Sequence, residues 1–159
     1  MPEFRGQLRP TGRVAILVSQ YNERVTARLL EGALACCKDA GVPEGQVDVV
    51  WLPGAFELGG AAAAVAGTGR YAAIVGLGCV VRGETAHFDF VAGEAARGLS
   101  EVAVRHGLPV AFGVLTTETI DQALVRAGGT GGNKGYEATE AALRSADALA
   151  QLKKHDAST

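Results

Sequence analysis

Four short, nearly unbroken apolar runs, each separated from the next by an amphipathic stretch, constrain this chain more than any other feature. Val14 to Val18, Val47 to Leu52, Ala72 to Val81 and Val110 to Leu115 have the length and apolar content of buried strands. Strands without a polar face belong in a parallel sheet covered on both sides. The intervening stretches supply the cover. From Glu23 to Ala40, the residues Val25, Leu29, Ala33, Cys37 and Ala40 recur on one helical face, and Gly41-Val42-Pro43 stops the helix. An alanine-rich helix follows Pro53-Gly54 and runs to about Ala66. From His87 to Arg105, Phe88, Val91, Ala92, Ala95, Leu99 and Val102 form another apolar stripe. A short helix from Thr119 to Ala127, a glycine-rich break and a final helix from Lys134 to Lys153 complete the pattern. The expectation is one α/β domain over 1–159, a flavodoxin-like three-layer αβα sandwich on a four-stranded parallel sheet. Residues 1–12 stand apart. Phe4 and Leu8 belong to no helix, so this arm is either loose or added as a strand to a neighbouring subunit's sheet.

Charge and composition exclude several classes. A net charge of -2 offers no basic field for nucleic acid, and no polybasic run suits a membrane surface. The apolar runs are too short to span a bilayer. The opening MPEFRGQLRP lacks the apolar core of a signal peptide, which points to the cytoplasm. The cysteines Cys36, Cys37 and Cys79 show neither CxxC spacing nor an even count, so no metal site is expected. Cys36 and Cys37 read as small apolar filler. Cys79, closing the third strand beside Arg82, reads either as filler or as a nucleophile.

In an open parallel sheet, ligands bind at the carboxyl ends of the strands. Four polar segments fall there: Ser19 to Asn22, Pro53 to Glu57, Arg82 to His87, and Thr116 to Thr119. In the third, a helix start offers N–H groups and a dipole to an anion such as phosphate. Glu84, Thr85 and His87 read there as ligand-handling groups, or as a dipole-matching acid, an N-cap and a surface histidine. Tyr21 would stack on a flat heterocycle or pack in the core. Glu57 would accept hydrogen bonds from a polyol or cap its helix. The stretch Gly128 to Gly135 is no phosphate-binding P-loop: Asn133 precedes Lys134 where glycine is needed, and Gly135 follows where Ser or Thr is needed. Arg126 and Lys134 would instead bracket a phosphate from one side, or sit as solvated charges at helix ends.

The segments PGAFEL at Pro53 to Leu58, GCVVRGETAHFDFV at Gly78 to Val91, FGVLTTET at Phe112 to Thr119, and QALVRAG with GNKG between Gln122 and Gly135 together resemble the lumazine synthase family. The likeness runs from about Val14 to Leu152. It implies condensation of 5-amino-6-(D-ribitylamino)uracil with 3,4-dihydroxy-2-butanone 4-phosphate, with no metal or organic cofactor. By resemblance, Tyr21 takes the place of an aromatic stacked on the pyrimidine. Ala55, Phe56, Glu57, Cys79, Val80 and Val81 fall on ribityl-uracil contacts. Glu84 and Thr85 fall on the sugar-phosphate site, and His87 on the proton-transfer histidine. Phe112 falls on a pyrimidine contact lent by a neighbouring subunit, Arg126 on the phosphate-binding arginine and Lys134 on a nearby lysine. The chain departs from the family pattern at Tyr21, usually Phe or Trp, at Gly59-Gly60, where a proline is common, and in the extra glycines of Gly129 to Gly132.

The resemblance further implies a ring of five subunits with each site between two of them. The short glycine linker before GNKG favours a sixty-subunit shell, with Leu143, Ala146, Leu149 and Leu152 of the last helix free for packing and Glu140 paired to Arg144. Riboflavin synthase is a partner that such a shell implies. Two rival readings stand beside the enzyme. A flavin-binding carrier of the same fold would need a Ser/Thr-rich phosphate loop after the first strand. A non-catalytic shell-forming homologue need not keep Arg126, His87 and Lys134 together.

Overall fold

The computed structural model describes residues 1–159. Its core is a four-stranded parallel sheet in the order β2-β1-β3-β4, built from β1 (Arg13–Ser19), β2 (Val47–Leu52), β3 (Tyr71–Val81) and β4 (Val110–Thr117). Helices α1 (Glu23–Ala40) and α5 (Lys134–Ser158) cover one face, and α2 (Leu58–Gly67) and α3 (His87–His106) cover the other. Between β4 and α5 come α4 (Ile120–Val125) and a small antiparallel hairpin, β5 (Ala127–Gly129) and β6 (Gly132–Asn133). The three-layer α/β sandwich expected from the apolar runs is what forms.

The strand alternation explains the two cores. Val14, Ile16 and Val18 of β1 point to the α1/α5 side, where they meet Val25, Leu29 and Leu143. Ala15 and Leu17 point the other way, onto Leu58, Ala62 and Leu99. Every residue read as the apolar face of α1 is buried. That helix ends at Gly41, whose φ of 82 lies in the left-handed region and whose N–H returns to the carbonyls of Cys37 and Lys38. No helix is long and apolar enough to cross a membrane.

Five features differ from the sequence reading. Edge strand β2 is largely uncovered: Val47 packs against the α1/α5 core, but Val49, Val50 and Trp51 are each more than a third exposed at the sheet edge. The glycine-rich break is a hairpin, and α4 is shorter than read, ending at Val125. Its start is fixed by a capping box in which Thr119 and Gln122 exchange hydrogen bonds. Helix α5 continues to Ser158, since nothing after Lys153 breaks it. Leu143 and Ala146 are buried in this chain's own core, leaving only Leu149 and Leu152 of the proposed packing set exposed. The Glu140–Arg144 pair is present at 3.0 Å.

The amino-terminal arm lies along α5. Gln7 N–H donates to Asp147 at 2.8 Å, Arg9 pairs with the same carboxylate at 2.9 Å, and Gln151 donates to it at 2.7 Å. Burial alone would raise the pKa of Asp147; the hydrogen bonds from Gln7 and Gln151, with the charge of Arg9, hold it below the ordinary carboxylate range.

Candidate active site

The order β2-β1-β3 reverses direction between β1 and β3, and the crevice outside that switch point is where such sheets bind ligands. A cleft of about 750 Å³ opens there. Tyr21 after β1, Ala55 to Glu57 after β2, Cys79 to Val81 at the end of β3, and Thr85 and His87 at the start of α3 line it. Nine of the residues singled out in the sequence thus meet at one place. Glu84, Phe112, Arg126 and Lys134 do not line it, and neither does the fourth loop, Thr116 to Thr119.

The geometry chooses between several alternatives. Tyr21 is 72% exposed, so its ring is not a core residue. Glu57 stands at the N-cap of α2 but makes no capping hydrogen bond, leaving its carboxylate to the cleft. Cys79 turns its side chain into the α1/α5 core beside Val75 and Leu77, and burial pushes its thiol up to about 11. A neutral, buried thiol is no nucleophile, and Cys79 serves the cleft through its position on the wall. Cys36 and Cys37 are buried filler, as read. Ala86, not Thr85, is the N-cap of α3, and Thr85 Oγ1 accepts from His87 N–H at 3.4 Å, a long bond. His87 is the first residue of α3 and faces the cleft.

The loop after β1 speaks against the flavin-carrier reading: it is not rich in Ser or Thr, and two of its N–H groups are already engaged. A phosphate there would need free backbone N–H groups. Gln20 N–H already donates to Leu52 O at 2.7 Å, and Tyr21 N–H to Pro53 O at 3.0 Å.

Arg126 and Lys134 sit elsewhere. The Arg126 side chain donates through Nη1 to Gln122 O at 2.9 Å, closing the end of α4, and makes no other hydrogen bond or ion pair within the chain. Lys134 N–H donates to Arg126 O at 2.8 Å, so the hairpin holds the two cationic residues beside one another. Phe112 pairs with Gly76 in mid-sheet on edge strand β4 and is exposed.

Sequence reasoning missed Phe88 and Val91, which appeared only as the apolar stripe of α3 and in fact form part of the cleft wall. It also missed Arg82. The guanidinium lies 4.5 Å from the centre of the Phe88 ring and 3.1 Å from Glu118 Oε1. It thereby braces the start of α3 against the end of β4. No local signal gave that role: Phe88 is six residues on, but Glu118, the partner at the end of β4, is 36 away.

The sheet order and the cleft define the class: an α/β enzyme of flavodoxin-like architecture with its site at the β1/β3 switch point. A family model described as 6,7-dimethyl-8-ribityllumazine synthase matches residues 11–150. Over 145 residues, 91% of this chain and 93% of the relative, the sequence is 52% identical to a 6,7-dimethyl-8-ribityllumazine synthase of Edwardsiella ictaluri. The chain belongs to the 6,7-dimethyl-8-ribityllumazine synthase family.

Proposed function

We propose that this protein forms 6,7-dimethyl-8-ribityllumazine in riboflavin biosynthesis, in a site assembled from two copies of the chain. The observation that carries this reading is the division of the functional residues. Tyr21, Phe56, Glu57 and His87 share one cleft, whereas Arg126, Lys134 and Phe112 lie outside it. A second copy delivering those three residues would complete the site with phosphate-binding cations.

The 5-amino group of the ribityl-aminouracil attacks the ketone of the four-carbon phosphate, and loss of water leaves an imine. Phosphate then departs by elimination, and the ribityl-bearing nitrogen closes the ring with loss of water. The reactants carry this reactivity themselves, so the protein chiefly supplies proximity and orientation. Tyr21 stacks on the pyrimidine and Glu57 accepts from ribityl hydroxyls. The N–H groups at the start of α3 and the cations Arg126 and Lys134 take the phosphate charge. His87 moves protons between the nitrogen and oxygen centres.

Mixing the protein with both substrates should give lumazine fluorescence and inorganic phosphate in equal amounts, and absence of either would end the reading. His87→Ala is expected to lower kcat by about 100-fold, the low end for a general acid–base group, with both KM values nearly unchanged. A folded variant with no residual turnover would show that proton transfer, not proximity, carries the rate.

The uncovered apolar residues on β2, and Phe90 and Val104 on α3, exposed at 73% and 83%, support a ring of five. The sixty-subunit shell rests on the short linker before Lys134 and on Leu149 and Leu152; location in the cytoplasm is part of the same reading. Sedimentation velocity at neutral pH is expected to show a shell-sized boundary, with spherical particles in negative-stain micrographs. A single pentamer-sized species across phosphate concentrations would remove the shell and leave the enzyme.

A further inference from the structure

We propose that Asn22 is a positioning residue that fixes Tyr21 over the cleft and so sets affinity for the pyrimidine substrate. The proposal rests on the reading of Tyr21 as the stacking ring. It starts from a contradiction in the local structure. A side chain as exposed as that of Tyr21, at 72%, ordinarily belongs to a loop tip free to move. Yet its main chain is fastened on both sides. Tyr21 N–H donates to Pro53 O at 3.0 Å, and Tyr21 O accepts from Ser19 Oγ at 3.1 Å. Ser19 is itself fully buried, and its carbonyl accepts from the buried Thr26 hydroxyl at 2.7 Å.

Asn22 completes the clamp. It is the only residue other than glycine with positive φ, at φ 61 and ψ 43. That conformation is disfavoured for residues with a side chain, and least so for Asn, Asp and Gly. It turns the chain sharply from β1 into α1, and the Asn22 carbonyl accepts from Val25 N–H and Thr26 N–H at 2.8 and 3.0 Å. The side chain is not spent on capping the helix. Instead Nδ2 donates to Cys79 O at 2.9 Å, across 57 residues of sequence. Cys79 lies two positions beyond Leu77, the last β3 residue paired with β1. The amide therefore ties the Tyr21 corner to the cleft wall just where the strand pairing has stopped. A rigid aromatic in a set orientation meets a flat ring without losing freedom on binding, which is how preorganisation gains affinity. Asn both tolerates the left-handed turn and offers an amide donor, a pair of properties that neither Asp nor Gly combines.

The test uses Asn22→Asp and Asn22→Gly in the full-length protein. Both tolerate the backbone angle, and both lose the donor to Cys79 O. Each is expected to raise KM for the ribityl-aminouracil about three- to tenfold, the range for one lost hydrogen bond, with KM for the sugar phosphate within about twofold. Tyr21→Ala is expected to raise the same KM, and adding it to Asn22→Asp should cost little more than Tyr21→Ala alone, because both act through one ring. If the Asn22 variants bind both substrates normally while Tyr21→Ala does not, the positioning role is wrong and the stacking role stands. Equal rises in both KM values, or fully additive effects, also overturn it. If Tyr21→Ala changes neither KM, the stacking role itself is wrong and the proposal falls with it.

Discussion

Arg126→Ala is expected to raise KM for the sugar phosphate by about 10- to 150-fold while leaving KM for the ribityl-aminouracil within about twofold. The range follows from a lost charge-assisted hydrogen bond, worth about 1.5 to 3 kcal/mol, at a tenfold change per 1.4 kcal/mol. Fold stability should hardly move, because the side chain is exposed and its one bond is to the Gln122 carbonyl. Arginine suits the task because its planar fork matches a phosphate bidentately, and most of that fork is unused within the chain. Arg126→Lys should therefore recover only part of the loss. Steady-state kinetics with each substrate varied in turn give the answer, and unchanged kinetics in the sugar phosphate would remove Arg126 from the site.

The second large effect is on the fold. Gly135 is buried in the first turn of α5, and a Cβ there would run into the main-chain carbonyl of Leu29 in α1. Backbone cannot move aside as a flexible side chain would. The neighbouring contacts depend on the same close approach. Asn133 caps α5 by accepting from Gly135 and Tyr136 N–H at 2.8 and 3.1 Å and donates to Arg28 O at 3.0 Å. The Tyr136 hydroxyl donates to Asp39 at 2.7 Å. Gly135→Ala is expected to cost about 3 kcal/mol, the upper end for overpacking. At about 2–4 °C per kcal/mol for a chain of this size, Tm falls by roughly 6–12 °C. Activity should fall as well, because Lys134 shifts with the start of α5. Gly45→Ala, where a Cβ meets nothing within 4 Å, is the control. Scanning calorimetry at one fixed protein concentration checks both, and equal melting of Gly135→Ala and the parent would show that α1 and α5 separate at little cost.

The layers were legible because burial is written into periodicity. Val25, Leu29, Ala33, Cys37 and Ala40 repeat on one helical face, and each is buried. β3 reads as the most apolar run and is the inner strand with the longest buried stretch. The hairpin of β5 and β6 was not legible. Its five residues include three glycines, an alanine and an asparagine, which carry no side-chain alternation. The exposure of β2 was hidden for the opposite reason: apart from Asp48, Val47 to Leu52 is an apolar run, and only the topology puts it at the edge. The site divides in the same way. Residues in loops at strand ends were visible, because polar groups directly after an apolar run stand out. Asn22 and Arg82 act through partners 57 and 36 residues away, which no local pattern encodes.

The division of the site between two subunits is tested most directly by complementation. His87→Ala disables the cleft-bearing half and Arg126→Ala the phosphate-bearing half. Each variant alone turns over slowly at limiting sugar phosphate. On the proposed ring assembly, co-expressed chains mix, and at random about a quarter of the interfaces pair an intact cleft with an intact Arg126. Under those conditions the mixed assembly is expected to recover about a quarter of the parent's turnover, well above the average of the two variants assembled separately. Turnover no greater than that average, in rings shown by mass spectrometry to contain both chains, would place His87 and Arg126 in the same subunit's site and contradict the account.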